Sequence, residues 1–388
     1  MIEIEIENLA EINQVQNDCN EIVHKEAEKL SYNQFFHEFM NKNVPIVIKN
    51  VNILTEFTKQ WIDKSDTINI DEMHKSLENE IVPVYNCSKK YFNSHEKFSM
   101  TFNEYCDYWK SKRENLKYLK DFHLKHQRPD LDFYNVPKYF ASDWLNEYLI
   151  DKGKDDYRFV YLGTKSTYTP LHSDVFGSFS WSVNVSGKKR WIFLKPNEEN
   201  KLKDSLNQLP FSVEEDELKE KNVDYFVLIQ EPNDSIFVPS QWFHQVENLT
   251  DVLSINHNWF NGCNIEIIYN NLLKNYEDVK QEIADCSDME NFEEHCQIML
   301  KSLFGINFED FIDILIHIGQ KRIELIRNKE KQQIFDKFSL GQNHTNFDLN
   351  AIAKILEKIS KLKKINDIEK TKIYEIILKI KKNAHDHT

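Results

Sequence analysis

Nowhere in its 388 residues does the sequence offer a run of 18 apolar residues, so no membrane-spanning helix and no membrane partner are expected. The start, MIEIEIENLAEINQ, is acidic and lacks the basic-then-apolar order of a secretion signal. The six cysteines (Cys19, Cys87, Cys106, Cys263, Cys286, Cys296) contain no C-x-x-C spacing, which argues against a zinc knuckle or a disulfide framework. These absences predict a soluble intracellular protein with reduced thiols. With no dense Lys/Arg cluster of nuclear type, the cytoplasm is the expected location and the nucleus is left open. Positive charge is also in short supply: 49 Lys+Arg stand against 63 Asp+Glu, a net charge of -14. A general electrostatic grip on nucleic acid is therefore not expected. The deficit is uneven, because residues 301–388 carry 17 Lys+Arg and 12 Asp+Glu, leaving -19 for residues 1–300. An acidic front part favours approach of a basic partner; the plainer alternative is a solvated acidic surface.

What is present points to a folded core. Apolar residues make up 40% and aromatic residues 13%, including 26 Phe, 16 Tyr and 7 Trp, a composition of aromatic-rich barrels or sandwiches rather than of disordered chains. The length suits one large domain with a smaller helical appendage.

Residues 5–42 read as helical, with Leu9, Ile12, Val15, Ile22 and Val23 at mixed helical spacings and a second piece over 32–40. Residues 44–48 read as a short buried strand. From 115 onward the texture becomes β-rich, with strands expected at 117–124, 157–163, 178–185, 190–194, 225–230, 235–238 and 252–258, the density of a barrel or sandwich. In the clearest strand, Phe179, Trp181, Val183 and Val185 alternate with Ser178, Ser180, Ser182, Asn184 and Ser186. One face is apolar; the other is small and polar, either exposed or leaving room for a ligand. Beyond 300 an amphipathic helical pattern runs through Phe308, Phe311, Ile312, Leu315 and Ile316, then Ile352, Ile355, Ile359, Leu362, Ile373, Ile376 and Ile380. It suits either packing onto the barrel or a homodimer-forming bundle. The expected organisation is an N-terminal helical or mixed region (1–114), a β core (115–270) and a C-terminal helical region (271–388).

The chemistry centres on TPLHSDV (169–175). Residues i and i+2 of a strand share a face, so His172 and Asp174 can reach one metal ion. A 2-His-1-carboxylate triad, which suits non-haem iron(II) and leaves positions for a bidentate cosubstrate and oxygen, needs one more histidine. His244, in EPNDSIFVPSQWFHQV (231–246), is the candidate, held between a Pro-Ser turn and a strand start. A second H-x-[DE], His24-Lys-Glu26, is discounted because it falls in the stretch read as helical. His123 and His126 near a strand end, and His385 and His387 in the tail, are the spare histidines. A bound 2-oxoglutarate needs a cation for its distal carboxylate. Lys189 can supply it, although Lys188 and Arg190 flank it and a solvated turn lysine is the rival reading.

The H-x-D, the strand start GKKRW (187–191) and the P-x-x-W-x-H-x-V strand (239–246) together resemble the jumonji-C oxygenases of the cupin superfamily, above all the small hydroxylase-type members. The resemblance covers roughly residues 30–270. It implies an α+β fold, a double-stranded β-helix (cupin or jelly-roll) core with N-terminal helices and a C-terminal helical appendage. It makes His172, Asp174 and His244 the iron(II) ligands and Lys189 the partner of 2-oxoglutarate. Thr169, Tyr118, Asn256 and Asn258 fall where the family places polar residues toward the same cosubstrate, with O2 as the oxidant. Ser182 stands where some relatives carry a contacting Asn, which puts that contact in doubt. The usual Pro-Gly-Asp turn is Pro232-Asn-Asp234 here, which Asn tolerates through its access to positive φ. The hydroxylase-type subgroup implies lysyl hydroxylation at carbon four, with a translation termination (release) factor as protein partner. Lysine demethylation is the alternative within the class, and a non-catalytic metal-binding cupin scaffold the alternative outside it.

Overall fold

The computed structural model describes residues 1–7, 19–91, 94–111, 115–328 and 333–385. The strands are β1 (Ile2–Ile4), β2 (Val23–Glu26), β3 (Ile46–Lys49), β4 (Ile81–Tyr91), β5 (Ser94–Thr101), β6 (Lys117–Phe122), β7 (Arg158–Gly163) and β8 (Tyr168–His172). They continue with β9 (Phe179–Ser186), β10 (Lys189–Leu194), β11 (Tyr225–Gln230), β12 (Ser235–Val238), β13 (His244–Asn248), β14 (Val252–Trp259) and β15 (Phe338–Leu340). One sheet has the order β2-β3-β12-β9-β14-β7-β6-β4-β5 and a second the order β11-β10-β13-β8. This is the α+β cupin architecture.

The two sheets meet over an apolar seam. Val47, Ile236 and Val238 of the large sheet pack with Trp191, Phe193, Leu228, Trp242 and Val246 of the small sheet and its loops. Each such side chain taken out of water contributes about 1.5–3 kcal/mol. The alternation in β9 works as its pattern requires: Phe179, Trp181, Val183 and Val185 are buried in the main core. Most of the polar face is closed to solvent as well: Ser178, Ser182, Asn184 and Ser186 are buried and Ser180 is half-buried.

Two expectations change. Residues 19–42 are not one helix: Val23 lies in β2, which pairs in parallel with β3, and helix is limited to a 3-10 turn at Ala27–Lys29 and to Tyr32–Phe35, continuing as a π turn over Phe36–Met40. The β-branched pair Ile22-Val23 fits a pleated edge better than a helical face. Leu9, Ile12 and Val15 lie outside the described residues. The long pair β4–β5, absent from the sequence reading, extends the large sheet over Ile81–Tyr91 and Ser94–Thr101, before position 115. The polar second half of β4 and the polar β5 hide the alternation that marked the others.

The C-terminal helices Ile265–Glu282, Phe292–Phe304, Phe308–Asn328, Gln342–Ser360 and Asp367–His385 build their own core. Phe311, Ile312, Leu315, Ile352, Ile355, Ile359, Ile373 and Ile376 are buried there together with Trp144, Leu145 and Tyr148 of the helix Trp144–Asp151. A buried ionic network ties these layers. The Arg322 guanidinium donates to both oxygens of Glu147 (2.9 and 2.7 Å) and to Asp348 (2.8 Å), and Trp144 Nε1 also donates to Asp348 (3.1 Å). Side chains of Arg322, Glu147 and Asp348 are fully enclosed. No helix of the described residues is long and apolar enough to cross a membrane. Loss of Arg322 leaves buried Glu147 with Lys321 alone (2.8 Å) and Asp348 with Trp144 (3.1 Å) and His344 (3.3 Å), so Arg322→Ala should cost about 3 kcal/mol of stability. Urea unfolding measures it; a loss under 1 kcal/mol contradicts the buried network.

Candidate active site

The site begins with strand pairing. β13 runs antiparallel to β8 with His244 directly opposite His172. Opposed positions on neighbouring strands hold their Cβ atoms within about 4.5–5.5 Å, and the two imidazole centroids are 4.3 Å apart. Asp174 lies just past the end of β8, its backbone still extended at φ -64° and ψ 150°, so the i,i+2 alternation persists beyond the ladder. Ligand atoms of His172, Asp174 and His244 lie within 4.8 Å of one another, the one such group among the described residues. The rival His24 stands on β2 rather than on a helix, and no third ligand gathers with it and Glu26 among the described residues. His387 and the side chain of His385 lie outside the described residues.

Hydrogen bonds set which atoms face the ion. Nδ1 of His172 is 2.8 Å from the Pro170 carbonyl and Nδ1 of His244 is 2.9 Å from the Trp242 carbonyl. A carbonyl only accepts, so each Nδ1 carries the proton and each Nε2 offers its lone pair. The turn before His244 is pinned by Asn43, which receives the Ser240 amide (2.8 Å) and gives its carboxamide N–H to the Ser240 carbonyl (3.0 Å). Trp191 and Phe193 stack on His244, both at 5.5 Å. Asp174 is clamped: Ser180 Oγ donates to Oδ2 (2.7 Å) and Asn258 Nδ2 to Oδ1 (2.8 Å). Burial and the neighbouring His244 push the pKa of His172 down to about 4, so it is a neutral ligand at physiological pH.

Behind the triad, a cavity of about 50 Å³ lies between the sheets, lined by Tyr118, Thr169, Ser182, Lys189, Asn256 and the three ligands. Lys189 is 2% exposed. The solvated-turn reading belongs instead to its neighbours, with Lys188 paired to Glu231 (2.8 Å) and Arg190 paired to Glu215. The turn that sends Lys189 inward uses Gly187 at φ +83°, where a Cβ would sit 2.0 Å from the Asp251 carbonyl oxygen. Lys189 Nζ donates to Ser254 Oγ (2.7 Å), and burial alone pushes its pKa down to about 7. A buried ammonium met only by neutral groups suits an incoming carboxylate. Tyr118 is buried, its pKa raised by burial. Asn256 donates to Ser254 Oγ (3.1 Å), while Asn258 acts chiefly on Asp174 and also donates to Ser178 Oγ (3.2 Å). Ser182 Oγ is buried with no protein partner, free for a ligand. Asn233 of the altered turn has φ +63°, as its identity allows.

In front of the triad lies a wider cavity of about 550 Å³, lined among others by Lys120, Asp121, Asp155, Asp156, Tyr161, Thr169, His172 and Asp174. The sequence reading missed Ser180, Ser254, Tyr161 and Asp121. The serine row of β9 carried a signal for Ser180; the other three depend on neighbours distant in sequence.

A deep cation behind a 2-His-1-carboxylate triad, with an open cavity before it, defines a cupin-fold oxygenase dependent on iron(II) and 2-oxoglutarate. Comparison with known proteins agrees: the family model described as "JmjC domain, hydroxylase" matches residues 159–259. The 2-oxoglutarate and iron-dependent oxygenase JMJD4 homolog of Drosophila melanogaster is 44% identical, covering 85% of this chain and 86% of its own. Its mouse counterpart, 2-oxoglutarate and iron-dependent oxygenase JMJD4, is 37% identical over 85% and 82%. The Arginine-specific demethylase JMJ20 of Arabidopsis thaliana is 33% identical over 86% and 78%. The chain belongs to the JMJD4 family of 2-oxoglutarate and iron-dependent oxygenases. It is an enzyme, which sets the scaffold reading aside.

With iron(II) bound, 2-oxoglutarate and O2 supply the oxidation: one oxygen atom enters a substrate C–H bond as succinate and CO2 leave. His172, Asp174 and His244 would hold the ion through one side, and Lys189 would hold the cosubstrate's distal carboxylate. Ser180 and Asn258 keep Asp174 in place, and Trp191 and Phe193 keep water off His244. Because outer partners of ligands typically carry 10–100-fold in metal affinity, Asn258→Ala should weaken iron(II) binding by about that factor in an anaerobic titration. An unchanged affinity contradicts the clamp. Lys189 must be protonated to pair with a carboxylate. Binding of 2-oxoglutarate should therefore be tightest below pH 7 and weaken by up to about tenfold per pH unit above it. Calorimetry from pH 6 to 9 tests this; a flat profile contradicts it.

Proposed function

We propose that this oxygenase is a protein hydroxylase that acts on a lysine side chain, at carbon four, of a translation termination (release) factor in the cytoplasm. The observation that carries this reading is the wide cavity before the triad. Its wall holds the carboxylate of Asp121, bonded to two tyrosine hydroxyls, a group suited to a cationic side chain. The acidic bias of residues 1–300 supports approach of a basic protein segment. Hydroxylation needs no more than one C–H bond brought to the iron, and the protein's task is to position it.

Demethylation is the second reading, favoured by one relative's name, Arginine-specific demethylase. The same oxidation on an N-methyl carbon gives a product that loses formaldehyde. Mass spectrometry separates the two. Purified enzyme with iron(II), 2-oxoglutarate and ascorbate should add one oxygen atom to one lysine of purified release factor, and His172→Ala should add none. Loss of methyl groups from methylated peptides, with no oxygen retained on lysine, contradicts the proposal.

We also retain self-association through the C-terminal helices as part of the proposal. Ile368, Tyr374 and Leu378 stand 72%, 54% and 67% exposed on the last helix. Light scattering should give the mass of a dimer; a monomer at all concentrations contradicts it.

A further inference from the structure

Asp121 occupies a break in β6. The register between β6 and β7 shifts between Leu119 and Phe122, and Asp121 has φ +57°, a conformation Asp and Asn adopt more readily than other side-chain-bearing residues. Bulges of this kind re-aim a side chain, and Asp121 lines the wide cavity that also reaches His172 and Asp174.

The carboxylate is held on both oxygens. Tyr161 donates its hydroxyl to Oδ1 (2.6 Å) and Tyr85 donates to Oδ2 (2.6 Å). Burial opposes its ionisation, but the charge of Lys120 and these two hydroxyls outweigh it and keep the pKa below the ordinary carboxylate value. The group is an anion at neutral pH. An ionised carboxylate has roughly four acceptor positions, and the tyrosines take two. Of the other carboxylates on this wall, Asp156 is paired with Arg158 (2.5 Å), Asp155 lies 2.8 Å from the His123 ring, and Asp174 is held by Ser180 and Asn258. Lys120 shares the wall and Lys97 stands beside it; their ammonium groups rest over the Tyr85 ring, 4.5 and 5.5 Å from the centroid, and both charges act on Asp121.

Tyr161 links this carboxylate to the deeper chamber. It lines both cavities, with its hydroxyl on Asp121 and its ring 5.7 Å from Lys189 Nζ. The molecule thus places Lys189 in the deep chamber and Asp121 in the outer one, with Tyr161 touching both.

We propose that Asp121 is a specificity-determining residue, receiving the cationic head of the substrate side chain while the carbon chain of that side chain lies over the metal site. The proposal rests on the reading that the substrate side chain is cationic, whichever oxidation follows. Two tyrosines fix the carboxylate in advance, so little ordering is needed when the cation arrives. A site built around a buried polar group rejects an isostere that lacks the matching charge.

The test uses the full chain loaded with manganese(II) and 2-oxoglutarate, and compares n-butylammonium, a mimic of the lysine side chain, with n-butanol. Asp121→Asn is the informative variant, because Asn accepts the same positive φ and can accept from one tyrosine hydroxyl while its amide donates to the other. Folding of the variant is checked by its Tm shift on adding manganese(II) and 2-oxoglutarate. Wild type should bind n-butylammonium at least about tenfold more tightly than n-butanol, and Asp121→Asn should erase that preference. With release factor as substrate, the variant should raise KM for the lysine at least about tenfold, with a smaller change in kcat. An n-butylammonium preference that is absent in wild type, or that survives in the variant, overturns the proposal. So does a parallel loss of both probes, which marks a merely structural role. Should the enzyme demethylate rather than hydroxylate while the ammonium preference still depends on Asp121, the hydroxylase reading falls and this inference stands. Should lysine be hydroxylated equally well by Asp121→Asn, the inference falls and the hydroxylase reading stands.

Discussion

The pairing of β8 with β13 is the constraint on which everything else depends. It puts His244 opposite His172, and because side chains alternate along a strand, a slip of one residue would send one imidazole to the far face. The irregularity between His244 and Val246 confines the opposed register to the site end of the ladder. The carbonyl partners of both Nδ1 atoms come from residues two positions earlier, so the backbone that creates the register also chooses the tautomer. Asp174 adds the third ligand without a strand of its own, and is held by Ser180 of β9 and Asn258 of β14. The large sheet thereby fixes the carboxylate and the small sheet fixes the imidazoles.

That division explains the polar interior of a fold otherwise stabilised by apolar burial. Uncompensated buried polar groups are costly, yet Lys189 and Ser182 are left under-satisfied next to the triad. The cost is tolerable because a dicarboxylate cosubstrate supplies what they lack. The ionic network of Arg322, Glu147 and Asp348 is the opposite case. Every charge there has a partner, and its role is to fix the helical layer against the core rather than to receive a ligand.

Legibility from the sequence followed the range of the interactions. The strands from Tyr225–Gln230 to Val252–Trp259 were readable because alternation and turn residues are local. H-x-D was readable for the same reason, since its two ligands share one short segment. The amphipathic C-terminal helices were readable from their 3.6-residue period. Val23 in β2 was misread because its partner strand lies more than twenty residues away, and the pair β4–β5 because the polar end of β4 and the polar β5 carry little apolar alternation. Flanking charges made Lys189 look like a surface residue, and only the Gly187 turn and the surrounding sheets explain why it is the one buried of three. Asp121 was invisible because a bulge, a conformation and two distant tyrosines define it together.

The central claim is that the opposed histidines and Asp174 form one iron site with Lys189 as the anchor of 2-oxoglutarate. Anomalous diffraction at the iron edge, from crystals grown anaerobically with iron(II) and 2-oxoglutarate, tests it most directly. The account predicts one iron peak bounded by Nε2 of His172, Nε2 of His244 and the Asp174 carboxylate, with the cosubstrate's distal carboxylate on Lys189 Nζ. Iron bound elsewhere, ligation through Nδ1, or a cosubstrate carboxylate away from Lys189 would contradict it.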